Sequence, residues 1–258
     1  MSKIFQNIIF EVEDGVAKIS IKRPPLNVLD VNTIQEIILA LEDANQDKSI
    51  FVVIFTGVGN RAFSAGVDIS AHLPDQVEKT LGQFHRMFHL LADFHKPTIA
   101  VVNGFAFGGG CELAIACDIV VASDKSQFGQ PEIKVGAIAT VAAALLPKLV
   151  GRKRALELMF TGDIISAAEA QKIGLVNKVV SPEKLVDATN ELVNKLKEMS
   201  PIVLQLVKRA IYQGIDSDFI KALDGVTDIY LKQLIRTEDA VEGLKAFLEK
   251  RKPEWKGR

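Results

Sequence analysis

The chain has 258 residues, of which 48% are hydrophobic and 24% charged, with a formal net charge of -1. That balance excludes a disordered chain and a nucleic-acid binder working through a basic surface, and the length suits one domain with a large core and at most a helical appendage. No apolar run reaches the roughly 18 residues of a membrane span, and the first residues lack the apolar centre of a secretion signal, so a soluble cytoplasmic protein with no membrane partner is expected.

In chain order, Ile8–Glu13 and Val16–Ile21 flank Asp14-Gly15, a strong hairpin signal. Prolines keep the Arg23 to Leu29 stretch out of a helix, and Asp30 is placed to cap the periodic helix that carries Ile34, Ile37, Ile38 and Leu41. The run from Ile50 to Phe55 has the continuous apolar character of a buried strand. It leads to Gly57-x-Gly59-x-x-Ala62, a weak match to a dinucleotide fingerprint, because the helix that motif needs does not follow. The stretch from Arg61 to Asp68 instead predicts an exposed loop of small residues whose amides face a ligand, with Asp68 a cap for the next helix. Helical periodicity then runs from Val77 to Phe94. The four histidines, His72, His85, His89 and His95, lie in or beside it and read as substrate lining or ordinary surface, since no acidic partner accompanies the His85/His89 spacing.

The chemistry centres on Asn103 to Glu112. A β-branched run from Pro97 to Val102 leads in and a helix-compatible run leads out, so Gly108-Gly109-Gly110 sits at a strand-to-helix junction. Glycines there permit positive φ and close approach of a ligand, and the free N–H groups of the first helical turn make an anion or oxyanion site. Glu112 falls within that turn, in reach of whatever the amides hold. A second acid, Glu132, follows Pro131 in a segment that cannot be a regular central strand, where partial burial, and with it a raised pKa, is expected. Cys111 and Cys117 share the helix at a spacing that forbids a disulfide between them, and no cluster has metal-ligand spacing, so no metal is expected.

Beyond the site, residues 137–150 predict a buried Ala-rich helix, Ser166 to Glu169 a capping box, and residues 175–180 a strand. Helices are expected over 183–199, 201–214, 216–236 and 237–250. Strands and helices therefore alternate to about residue 180, and helices alone follow. The expected division is a core over 1–180 and a helical region over 181–258.

Two amide-bearing loops and two acids suit proton and water chemistry beside a thioester. The chain resembles the enoyl-CoA hydratase (crotonase) superfamily over essentially its whole length. The resemblance is carried by residues 61–69, 102–113, 117–119, 128–133 and 168–176. It implies an α/β spiral of repeated β-β-α units with a C-terminal all-helical trimerisation region, assembled as a homotrimer or as a homohexamer of two trimers. It also implies an acyl-CoA thioester substrate, with coenzyme A as part of the substrate and no separate cofactor. Glu112 and Glu132 match the two hydratase acids, and Ala65 and Gly109 supply the oxyanion hole. Pro25, Leu26, Ser64, Ala65, Gly66, Asp68 and Ile69 hold the CoA moiety.

Where related hydratases carry a glycine-rich turn after the second acid, this chain has residues 136–144. Ala137, Ile138, Ala139 and Val141 are accordingly expected to shape a different acyl pocket. With the Arg23 to Leu29 stretch, this looks like the cyclohexa-1,5-diene-1-carbonyl-CoA hydratases, which implies water addition to a cyclic dienoyl-CoA. The alternatives are an ordinary 2-enoyl-CoA hydratase of fatty-acid β-oxidation, an enoyl-CoA isomerase, and a non-catalytic CoA-binding protein.

Overall fold

A computed structural model describes residues 5–69, 73 and 76–258. The chain opens with β1 (Ile8–Glu13) and β2 (Val16–Ile21), an antiparallel pair turned at Asp14 and Gly15, both at positive φ. Helix α1 (Val31–Gln46) follows, and Asp30 caps it as expected, accepting from the Thr33 N–H at 2.8 Å and the Thr33 hydroxyl at 2.7 Å. Next come β3 (Val52–Gly57), β4 (Ala62–Ser64) and α2 (Val77–Ala92). The pattern repeats as β5 (Thr98–Val102), β6 (Phe105–Phe107) and α3 (Gly109–Ala116), then as β7 (Ile119–Ser123), β8 (Gln127–Gly129), a 3-10 turn (Pro131–Val135) and α4 (Thr140–Val150). After α5 (Arg152–Thr161) come β9 (Ile164–Ser166), α6 (Ala167–Lys172) and β10 (Lys178–Val180).

After the opening hairpin, which lies wholly in the larger sheet, each turn of this spiral gives one strand to each of two sheets. The larger has the order β1-β2-β3-β5-β7-β10, parallel beyond the opening hairpin, and the smaller has the order β4-β6-β8-β9. Strand β5 is buried along its whole length, which suits its apolar run over residues 99–102, and buried Thr98 at its start is satisfied by Asp118. Short β4, β6 and β8 end at the loops that carry the candidate site, so the parallel register of β4 with β6 and of β6 with β8 sets those loops side by side.

Two expectations change. Helix α4 begins at Thr140 rather than Ala137 and lies at the surface, with only Ala142 and Leu146 buried; small alanines suit an exposed wall as readily as a core. The expected strand over 175–180 shortens to β10. Of the expected capping box only the N-cap half forms, with Ser166 Oγ accepting from the Glu169 N–H at 3.2 Å, while the Glu169 carboxylate turns to Arg154 at 3.0 Å. The start of a helix after Asp68, and His72, lie outside the described residues.

The chain packs as two units, residues 1–94 with 98–190, and 95–97 with 191–258. Helix α7 (Leu185–Lys197) begins in the first and ends in the second. The second unit holds α8 (Pro201–Gly214), α9 (Phe219–Lys232) and α10 (Glu238–Glu249), capped by Ser200, Asp218 and Thr237. Its helix over 216–236 is thus shorter than expected, closing in a 3-10 turn at Leu234–Arg236. Buried Asp239 ties this unit together, accepting from Ser200 Oγ at 2.6 Å and from the Lys256 and Gly257 amides. Phe219, Ile220, Ile211, Phe247 and Leu248 of this unit stay exposed.

Candidate active site

A cavity of about 250 Å³ opens within the first unit. Its walls come from the loop after β4 (Ala65, Gly66, Val67, Ile69), from α2 (Thr80, Leu81, Phe84), from the start of α3 (Gly108, Gly109, Glu112) and from residues 131–140.

Glycine is required at the α3 junction. Gly108 adopts φ +50, and a Cβ there would run into the Glu132 carboxylate. Its N–H donates to Gly129 O at 2.9 Å, and its carbonyl accepts from the Glu112 N–H at 2.8 Å, which starts the helix and turns Glu112 inward. Glu112 is 2% exposed, and its Oε1 accepts from the Ala142 N–H, near the α4 N-terminus, at 2.8 Å. Burial, opposed by the Ala142 amide, pushes its pKa from 4.5 up to about 7, and the Glu132 charge adds to the rise. Glu132 sits on the 3-10 turn, half-buried, and desolvation raises its pKa too. Its Oε2 is buried with no hydrogen-bond partner among the described residues. The acids therefore face one cavity and disfavour each other's ionisation. Cys111 beside them is locked as a thiol, burial pushing it up to about 12.

The amides correct one expectation. The Ala65 N–H is already spent on Leu26 O at 2.9 Å, and the Gly66 N–H on Ser64 Oγ at 3.1 Å, so neither is free for a ligand. Leu29 forms a parallel bridge with Val67, donating to Gly66 O at 2.8 Å and accepting from the Asp68 N–H at 3.4 Å. In that pattern the residue between the bonded pair turns its own amide to the opposite side. Val67 N–H accordingly has no acceptor among the described residues, and neither has Gly109 N–H. Val67 and Gly109 touch across the cavity, since a Cβ on Gly109 would lie 2.9 Å from Val67 Cγ2. The free pair is therefore Val67 and Gly109, two residues beyond the expected Ala65 on the same loop.

Of the residues expected around CoA, Ala65, Gly66 and Ile69 line the cavity. Ser64 does not: its side chain is fully buried, and its hydroxyl accepts the Gly66 N–H and so shapes the loop from behind. Pro25 and Leu26 lie at the surface beside the loop, joined to it through Leu26 O, and Asp68 is half-buried outside the cavity wall. Of the expected acyl-pocket residues, Ala137, Ile138 and Ala139 line the cavity and Val141 does not; its side chain packs on the core. Thr140, not expected, does line it, and its hydroxyl lies 2.8 Å from His85 Nε2.

Burial of Glu112 has a measurable cost. A carboxyl whose folded pKa lies above its unfolded one keeps its stabilising contribution below about pH 4.5 and loses it as pH climbs through about 7. Glu112→Gln removes the titrating group. Its melting temperature is expected to rise relative to the parent between these pH values and level off above them, by the equivalent of about 3 kcal/mol at most. Thermal denaturation of both proteins across pH 4.5 to 8.5 checks this, and a pH-independent difference would contradict the desolvation of Glu112.

The family model described as enoyl-CoA hydratase/isomerase matches residues 11–258. A crotonyl-CoA hydratase of Syntrophomonas wolfei is 38% identical over 253 residues, covering 96% of this chain and 97% of its own. A short-chain-enoyl-CoA hydratase of Clostridium acetobutylicum is 39% identical over 255 residues, covering 96% and 97%. Among solved structures, an enoyl-CoA hydratase of Bacillus anthracis superposes with a TM-score of 0.93 at 36% identity, covering 98% of this chain and all of that one. A fold, a motif order and a family match that all run through nearly the full chain place it in one family: the chain belongs to the enoyl-CoA hydratase/isomerase (crotonase) family.

Proposed function

We propose that the protein hydrates 2-enoyl-CoA thioesters. The observation that carries this reading is the meeting, in one cavity, of two acids with raised pKa values and two unspent amides on a facing loop and helix start. The thioester oxygen accepts from Val67 and Gly109 N–H, which polarises the conjugated double bond. Glu112 and Glu132 hold one water between them. Its oxygen adds to the β carbon while one carboxylate takes its proton, and the charge that develops on the thioester oxygen is met by the two amides. The other acid, protonated, delivers its proton to the α carbon to give the 3-hydroxyacyl thioester. Ala65, Gly66 and Ile69 then flank the CoA arm at the cavity mouth, with Pro25, Leu26 and Asp68 beside them. Copies of the chain associate as a trimer or a pair of trimers, and the exposed apolar residues of the C-terminal helices support that association.

The names borne by the similar hydratases favour a short linear substrate over a cyclic diene. The cyclic reading rests on the unusual 136–144 segment, part of which lines the cavity. Turnover in heavy water separates the two. Crotonyl-CoA is expected to yield a 3-hydroxy product with one deuterium at the α carbon. Preferential turnover of a cyclic dienoyl-CoA, with label at the distal diene carbon, would replace this reading with the cyclic one.

A further inference from the structure

A second cavity, of about 380 Å³, meets the first at Glu132, Ala137, Ile138 and Ala139, which line both. Its far walls are the exposed face of α4 (Ala143, Pro147) and α5 (Ala155, Leu156, Met159, Phe160), so it is chiefly apolar. Two polar features stand out in that lining besides Glu132. Gln130 is 2% exposed, yet neither its Oε1 nor its Nε2 has a partner among the described residues. A buried carboxamide left unpaired is costly, and such groups are normally satisfied. Arg152, the first residue of α5, also lines the cavity and forms neither hydrogen bond nor ion pair with any described residue, whereas nearby Arg154 is paired with both Glu157 and Glu169. The α5 first turn holds no acid and no side-chain cap, so the positive end of the helix adds to the Arg152 charge instead of being offset.

We propose that this second cavity receives the far end of an acyl chain that terminates in a carboxylate, with Arg152 as counter-ion and the Gln130 amide as a neutral donor. The inference rests on the hydratase reading of the first cavity and narrows its substrate class to include ω-carboxyl 2-enoyl thioesters. A chain whose β carbon stands at Glu132 enters the apolar passage directly, and its terminal charge comes to rest at the α5 end, away from Glu132. Arg152 is itself exposed, so the apolar walls hold the chain while the guanidinium fork meets the carboxylate at the cavity's open end.

The test is equilibrium binding of saturated acyl-CoA thioesters of about four to eight carbons, each offered methyl-ended and carboxyl-ended, by titration calorimetry. At one or more lengths the carboxyl-ended member is expected to bind about threefold to tenfold more tightly. Arg152→Gln should abolish that preference and Arg152→Lys keep part of it. Equal affinity at every length overturns the proposal, as does a preference that survives Arg152→Gln. Saturated thioesters cannot be hydrated, so affinity reports on the second cavity independently of turnover. Failure to hydrate crotonyl-CoA with the preference intact would count against the catalytic reading alone.

Discussion

Replacing either Glu112 or Glu132 by glutamine is expected to lower kcat by about 10²-fold to 10⁴-fold, the range that a positioned general acid or base supplies. The KM for crotonyl-CoA should move much less, because the amides of Val67 and Gly109, not the carboxyls, hold the thioester in this mechanism. The double variant should fall well short of the product of the two single losses, since groups that share one water fail as a unit. Steady-state kinetics on the three variants, with acyl-CoA affinity measured alongside, checks this. Variants that bind the thioester and turn it over as fast as the parent would show that the cavity is a CoA-binding cradle with no chemistry. Glutamine keeps the shape and some hydrogen bonding of the parent side chain, so a loss of this size reports on proton transfer rather than collapse of the wall. The accompanying gain in stability at neutral pH would mark Glu112 as a group kept for its chemistry at the expense of the fold.

Gly110→Ala is expected to damage the site by a different route. A Cβ on Gly110 would collide with the Ser64 carbonyl oxygen and stand 2.7 Å from both Ser64 C and Ser64 Cβ. These atoms are backbone or fully buried, so the chain must move, and it moves where β4 runs into the loop that carries the Val67 amide. The cost is expected at about 1–3 kcal/mol of stability, as for overpacking in a dense interior. Displacing a donor from the thioester oxygen should cost a further factor of about 10²–10³ in kcat. Gly82→Ala is the control: within α2 nothing lies within 4 Å of its added Cβ, so it should gain about 0.5–1 kcal/mol from helix propensity. Comparing denaturant midpoints and kcat for the two alanine variants separates local collision from a general intolerance of glycine replacement. A fully active Gly110→Ala would break the link between the loop after β4 and turnover.

Features set by neighbours in sequence were legible before the structure. The Asp14-Gly15 hairpin, the Asp30 cap and the inward Glu112 each depend on residues a few positions apart, where turn, cap and helix-start chemistry is local. The choice of free amide in the Ala65-Gly66-Val67 run was not, because it is made by residues 26–29, almost forty positions upstream, through bonds that no local pattern encodes. Small residues marked the loop correctly but could not say which N–H its partner would leave unused. The Ala-rich 140–150 helix misled for a related reason: alanine carries little area either way, and only the packing of α4 shows that one face closes a cavity. Gln130 gave no signal at all, since a glutamine between a strand and a proline reads as surface until its burial is known.

The clamp of residues 26–29 onto the loop after β4 bears on how the protein tolerates being cut or rebuilt. A change confined to residues 26–29 would retain both acids, every glycine of the α3 junction and the whole six-stranded sheet, and would still lose the template that leaves one amide bare. Turnover therefore depends on a segment that brings no reacting group of its own.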